Sequence, residues 1–126
     1  MQPFKKILLT GINGQVGHAL KVKLASLGQL IALDRSRLDL SNPEAIRSMV
    51  QAIKPDLIIN PAAYTAVDLA ESQPAQAHAI NAIAPGIFAE EADKINALLI
   101  HYSTDYVFDG LKNAPYVEDD LTQPVS

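Results

Sequence analysis

A short apolar run, Lys6-Ile7-Leu8-Leu9-Thr10, leads without a break into Gly11, Gly14 and Gly17, and a helical stretch follows at once. That order leaves little choice of fold. An apolar strand, a glycine turn and a helix form the opening of a mononucleotide-binding βαβ unit. The glycines let the chain turn tightly, let the backbone approach a pyrophosphate and let the helix pack close to the strand. The helix N-terminus then offers free N–H groups and a partial positive charge. Asn13, Gln15 and Val16 fill the spaces between the glycines and are candidates for the same contacts. The spacing is Gly-x-x-Gly-x-x-Gly, not the Gly-x-Gly-x-x-Gly of simple dehydrogenases. The Lys-Ser/Thr of a P-loop is missing, which disfavours ATP.

Strand and helix signals alternate along the rest of the chain, the mark of an α/β fold with a doubly wound parallel sheet. Strands are predicted over residues 6–10, 30–33, 56–60 and 97–103. The first, third and fourth are near-continuous apolar runs, as expected for parallel strands covered on both faces. A helix is predicted over residues 15–27, with Gly28 as its C′ glycine. Ser41-Asn42-Pro43-Glu44 starts a second helix, which runs to about residue 53. Residues 67–72 read as a short helical turn. Pro74 opens a long helix to residue 94, kinked at Pro85. From Asp105 onward the chain reads as loop.

Composition removes several function classes. The formal net charge is −4 with no basic cluster, which argues against nucleic acid or an anionic membrane as partner. There is no cysteine, so disulfides and thiolate chemistry are excluded. His18, His78 and His101 lack ligand spacing, and no metal site is expected. No apolar stretch approaches the ~20 residues of a membrane span, and the apolar run after Lys6 is too short for a signal peptide. A cytoplasmic protein is expected.

Several further residues carry chemistry. Asp34 follows the second strand, about 20 residues beyond the glycine loop, where an acid accepts hydrogen bonds from an adenosine ribose and favours NAD. Arg35 and Arg37 follow it, and a guanidinium there suits a 2′-phosphate. Both NADH and NADPH therefore stay open. Asp39 and Leu40 suit an adenine amino group and ring edge, or simply a turn ahead of the Ser41 cap. Small residues in Asn60-Pro61-Ala62-Ala63-Tyr64-Thr65 leave room for a ligand at the C-terminal edge of the sheet, or pack a tight turn. Ser103-Thr104-Asp105-Tyr106 places hydroxyls and a carboxylate at that same edge, as a substrate contact or a local turn. Asn81 interrupts an alanine-rich helix, where asparagine is a poor choice. A buried role, bridging to the site, would account for it.

Together these segments resemble the extended short-chain dehydrogenase/reductase family. The strings Thr65-Ala66-Val67-Asp68-Leu69-Ala70-Glu71 and Tyr102-Ser103-Thr104-Asp105-Tyr106-Val107-Phe108 are similar to its branch that reduces a dTDP-4-keto sugar to dTDP-L-rhamnose. The resemblance implies a Rossmann-type sheet of which residues 1–126 are the N-terminal half. It implies NADPH or NADH bound by the glycine loop, Asp34, Asp39, Leu40, Ala63, Tyr64, Thr65 and Tyr102, with Ala62 and Arg35 beside them. Thr104 would meet the keto oxygen of a dTDP-sugar, with Asp105 next to it. It also implies a Tyr-x-x-x-Lys motif for proton donation and a later sugar-nucleotide domain. Asn60-Pro61 and Tyr64 depart from the family's usual Ala-Ala-Ala and His. No tyrosine here has lysine four residues on; Tyr116, for one, is followed there by Asp120. The expectation is that the motif lies just past Ser126 and that residues 1–126 alone are not a competent reductase, for want of general acid catalysis worth about 10²–10⁴-fold. An exposed strand at residues 97–103 would invite pairing with another chain, so a homodimer is expected to be within reach. A related epimerase or dehydratase, or a non-catalytic nucleotide-binding subunit, are the alternatives.

Overall fold

The computed structural model describes residues 3–126. Four parallel strands form one sheet: β1 (Lys6–Leu9), β2 (Gln29–Ala32), β3 (Leu57–Asn60) and β4 (Leu98–His101), in the order β2-β1-β3-β4. β1 pairs with β2 through Lys6 opposite Gln29, and with β3 through Ile7 opposite Leu57. β3 pairs with β4 through Leu57 opposite Leu98. The strand order turns back at β1, and in open α/β sheets ligands bind at such a switch point, beyond the C-terminal ends of the strands.

Helices cover the sheet unevenly. α1 (Gln15–Leu24) lies on one face, where Leu24 packs with Ile7, Leu9, Leu57 and Ile59. α2 (Pro43–Ile53) and α5 (Ala84–Lys94) lie on the other, where Ile46, Val50, Ile87 and Phe88 pack on Leu8 and Ile58. α3 (Val67–Ser72) and α4 (Pro74–His78) lead into α5 through a π-helical segment, Ala79–Ile83. A 3₁₀ turn spans Asp105–Val107. Among the described residues no helix is long and apolar enough to cross a membrane.

Local chemistry explains the element ends. Asn42 caps α2 by accepting from the Ala45 N–H at 3.1 Å, with Pro43 in the first turn. Lys54 ends it in the left-handed region, its N–H donating to Val50 at 2.8 Å. Asp56 accepts from the Lys5 and Lys6 N–H groups and fixes where β1 begins.

Three expectations need correction. α1 stops at Leu24 rather than residue 27, and Gly28 is not its C′ glycine. Gly28 is required because a Cβ there would lie 2.4 Å from the Phe4 carbonyl oxygen. The long helix is not a simple kink at Pro85. Proline has no N–H to offer the preceding turn and its ring crowds that turn's carbonyl, and here a wide π turn takes up the mismatch. The Ala84 N–H donates five residues back, to Ala79. Finally, β4 is not covered on both faces: Leu98 is 55% and Ile100 40% exposed.

Candidate functional site

The three glycines do three different jobs. Gly11 sits at φ +61°, and a Cβ on it would meet the Ala62 backbone at 2.9 Å. A side chain at Gly17 would lie 2.0 Å from the Gly11 carbonyl oxygen, so α1 can rest on the turn only through glycine. Gly14 is the N-cap of α1, with φ −83° and ψ 168°, a conformation open to any residue. A Cβ there would meet only the Gly11 oxygen, at 3.4 Å. The fold therefore demands glycine at positions 11 and 17 but not at 14, which faces open space. No side chain caps α1 and its first turn holds no acid. Its terminal N–H groups are left for a ligand.

A cleft of about 760 Å³ opens over this turn. Gly11, Asn13, Gly14, Gln15, Val16 and Gly17 form one wall; Asp34, Arg35, Asp39 and Leu40 form the second; Ala62, Ala63, Tyr64 and Thr65 form the third. The cleft thus gathers the candidates from the first three strand ends except Arg37 and Asn60. Tyr102, Thr104 and Asp105 lie outside its lining. Thr104 accepts from the Tyr106 N–H at 3.2 Å and so caps the 3₁₀ turn, the local-turn reading of that string. Its hydroxyl is 3.4 Å from Asp105 Oδ1, too long for a good O–H···O bond, which leaves the proton free to donate elsewhere.

Both acids of the second wall are held alike. Asp34 Oδ1 accepts from the Ser36 hydroxyl at 2.6 Å and the Ser36 N–H at 3.0 Å. Asp39 Oδ1 accepts from the Ser41 hydroxyl at 2.7 Å and the Ser41 N–H at 2.9 Å. These serine bonds are the main reason both carboxyls sit below their ordinary pKa and stay anionic. Asp39 is thus a turn acid and a cleft acid at once. Arg35 lines the cleft, whereas Arg37 turns its guanidinium back onto the Ala32 carbonyl at 3.4 Å.

The third wall is tied from behind. The Tyr64 N–H donates to Asn81 Oδ1 at 2.7 Å, and Asn81 Nδ2 donates to the Tyr64 carbonyl at 3.1 Å. The Tyr64 hydroxyl donates to Gln73 at 2.8 Å. Asn81 is therefore a bridge to the site through backbone, but an exposed one, not the buried one expected. The π segment brings it there, with Ile80 in the cleft lining. Beneath the walls, Thr10 donates to Asn60 Oδ1 at 2.5 Å, and both side chains are buried. This bond joins the residue before Gly11 to the residue before Pro61. His101 Nδ1 reaches the same Asn60, 3.1 Å from its carbonyl oxygen and 3.3 Å from Nδ2.

Sequence reasoning missed Thr10, Ile12, Leu33, Leu38 and Ile80 in the lining. Thr10 and Leu33 could have been found as the residues just before predicted site positions. Ile80 could not, since the π turn sets its direction. Among the described residues, no three of His, Asp or Glu cluster as metal ligands.

A parallel sheet that turns back at β1, with a glycine turn and an open cleft at that point, defines a Rossmann-type α/β protein. Residues 5–126 match the family described as the RmlD substrate binding domain, and the chain belongs to that family. It is 51% identical over 121 residues to a dTDP-4-dehydrorhamnose reductase of Burkholderia thailandensis, covering 96% of this chain and 41% of the relative. It is 48% identical to the reductase of that name from Escherichia coli, covering 95% and 42%. A crystal structure of dTDP-4-dehydrorhamnose reductase from Bacillus anthracis in complex with NADP superposes with TM-score 0.89 at 36% identity, over 99% of this chain and 44% of that one. The chain spans less than half the length of these relatives.

Proposed function

We propose that residues 1–126 are the cofactor-binding part of an NAD(P)-dependent reductase that converts dTDP-4-dehydro-L-rhamnose to dTDP-L-rhamnose. The observation that carries this reading is the glycine at position 14, which the backbone does not need and which faces the cleft above an uncapped helix. The residues present fit a dinucleotide. The N–H groups of the Gly11–Gly17 turn suit the pyrophosphate. The free oxygens of Asp34 and Asp39 suit the ribose and the adenine amino group, with Leu40 along the ring edge. Ala62, Ala63 and Thr65 line the cleft just after β3, and Tyr102 follows β4, the next strand of the sheet. The bound nicotinamide supplies hydride; the protein orients it and steadies developing charge. Thr104 offers its hydroxyl as a hydrogen bond to the keto oxygen, and Asp105 lies beside it. Within residues 1–126 no tyrosine is followed four positions on by lysine, so this stretch supplies the cofactor side of the reaction.

Similarity to dTDP-4-dehydrorhamnose reductases, one of them in complex with NADP, supports this assignment. A cytoplasmic location and supply of sugar precursors for lipopolysaccharide O-antigen belong to the same reading. Fluorescence titration with NADPH and NADH, beside Asp34→Ala, tests it. Saturable binding that the variant weakens is expected. A folded protein that binds neither dinucleotide would overturn it.

A further inference from the structure

We propose that Asn13 is a spontaneous modification site, deamidating to aspartyl and isoaspartyl residues that disable the glycine turn, and that a bound dinucleotide slows the reaction. The chemical site stands on the turn itself; its consequence rests on the dinucleotide reading above. Asn13-Gly14 is the only Asn-Gly step in the chain. With glycine after asparagine, no side chain shields the backbone nitrogen that attacks the amide. Asn13 is exposed and lines the cleft. The other asparagines are better guarded. Asn42 and Asn60 are followed by Pro43 and Pro61, which carry no N–H. Asn81 has its amide bound to the Tyr64 backbone. Asn96 and Asn113 are each followed by alanine, whose Cβ crowds the attack.

The Gly14 nitrogen attacks Asn13 Cγ. The N–Cγ bond forms, the Cγ–Nδ2 bond breaks, and Nδ2 leaves as ammonia with the proton that Gly14 loses. Water then adds to either carbonyl of the ring and opens it, to aspartate or to isoaspartate. In sum, an amide and a water become a carboxylate and an ammonium ion, with nothing oxidised or reduced. In the folded turn the Gly14 N–H donates to the Gly11 carbonyl at 3.0 Å, so the attack waits for the turn to open. A dinucleotide seated on the turn holds it closed. The products act on the cleft in two ways. Their carboxylate stands beside a first turn of α1 that holds no acid, where it repels a pyrophosphate and competes for the same N–H groups. Isoaspartate also lengthens the backbone between Ile12 and Gly14, where the Gly11–Gly14 bond and the close approach of Gly17 to Gly11 fix the geometry.

The test is peptide mass spectrometry of the protein aged at mildly alkaline pH with and without NADPH, beside NADPH titration of fresh protein, aged protein and Asn13→Asp. Modification is expected at Asn13 ahead of Asn113, which is also exposed. NADPH at about ten times its Kd is expected to slow it about tenfold, because binding withholds the open turn. Asn13→Asp is expected to weaken NADPH about tenfold or more, the size of a like charge set beside a phosphate near a protein surface. Asn13→Gln, whose longer side chain closes the ring poorly, is expected to bind alike fresh and aged. Asn13 intact when Asn113 has reacted, an equal rate with NADPH bound, or undiminished binding by the modified protein would overturn the proposal while leaving the cleft reading intact. Fresh protein that binds no dinucleotide would overturn the cleft reading and the claimed consequence together, while the mass readout still judges the site.

Discussion

β3 and β4 run side by side, with Leu57 opposite Leu98 and Ile59 opposite Ile100, yet these matched residues live in different surroundings. Leu57 and Ile59 are each 3% exposed under α1, while Leu98 and Ile100 stand open on the same face of the sheet. On the opposite face Leu99 of β4 does pack, against the layer of α2 and α5. Residue type is the same; the difference is the presence of a covering helix. The comparison teaches that apolar runs report what a strand can bury, whereas the helix layer decides what it does bury. It also separates a finished region, the cleft over β1, β2 and β3, from an open one along β4.

The largest expected effect tests that difference directly. Ile59→Ala should cost about 2–5 kcal/mol in urea unfolding, and Ile100→Ala less than about 1 kcal/mol. Equal costs would mean that β4 is covered in solution, for instance by a second copy of the chain. Next come the glycines of the finished region. Gly17→Ala drives a methyl into the Gly11 carbonyl and should cost about 3 kcal/mol. Gly14→Ala should stay within about 1 kcal/mol in stability, yet weaken NADPH about tenfold or more. The cleft reading has no use for Gly14 if that variant binds normally.

Asn60 links the two regions, reaching Thr10 on one side and His101 on the other. Asn60→Ala strands the buried Thr10 hydroxyl and should cost about 1–3 kcal/mol. The last effect lies on the far face. Glu91 is 1% exposed between α2 and α5 and accepts from Lys94, Gln51 and Arg47. Led by the Lys94 bond, these hold its carboxyl down from 4.5 to about 2. A carboxyl with a lowered folded pKa contributes stability above its unfolded pKa and loses it on acidification. Melting temperature should therefore fall between pH 4.5 and about 2, and Glu91→Gln should flatten that fall. An unchanged slope would show that other carboxyls govern acid unfolding.

The finished region was legible because its signals are local. Gly11, Gly14 and Gly17 follow an apolar strand, Asn42-Pro43 announces a cap, and Asp34 falls at the end of a strand. What failed was non-local. Gly28 is glycine because of Phe4, which is distant in sequence. The covering of β4 depends on which helix packs where, and its apolar run cannot state that. Glu91 gave no signal, since its partners Arg47 and Gln51 lie on another helix. Asn81 stood out as a misfit, and its bridge to Tyr64 explains it. Its exposed position depends on a π turn that helical periodicity cannot foresee.

The central claim is that the glycine-walled cleft is the dinucleotide site and the open face of β4 is not. Amide chemical-shift mapping on adding NADPH tests this most directly. The account predicts shifts at Gly11, Gly14, Gly17, Asp34, Asp39 and Ala62 through Thr65, with Leu98 and Ile100 unmoved. Shifts confined to β4, or none in a folded protein at saturating NADPH, would contradict it.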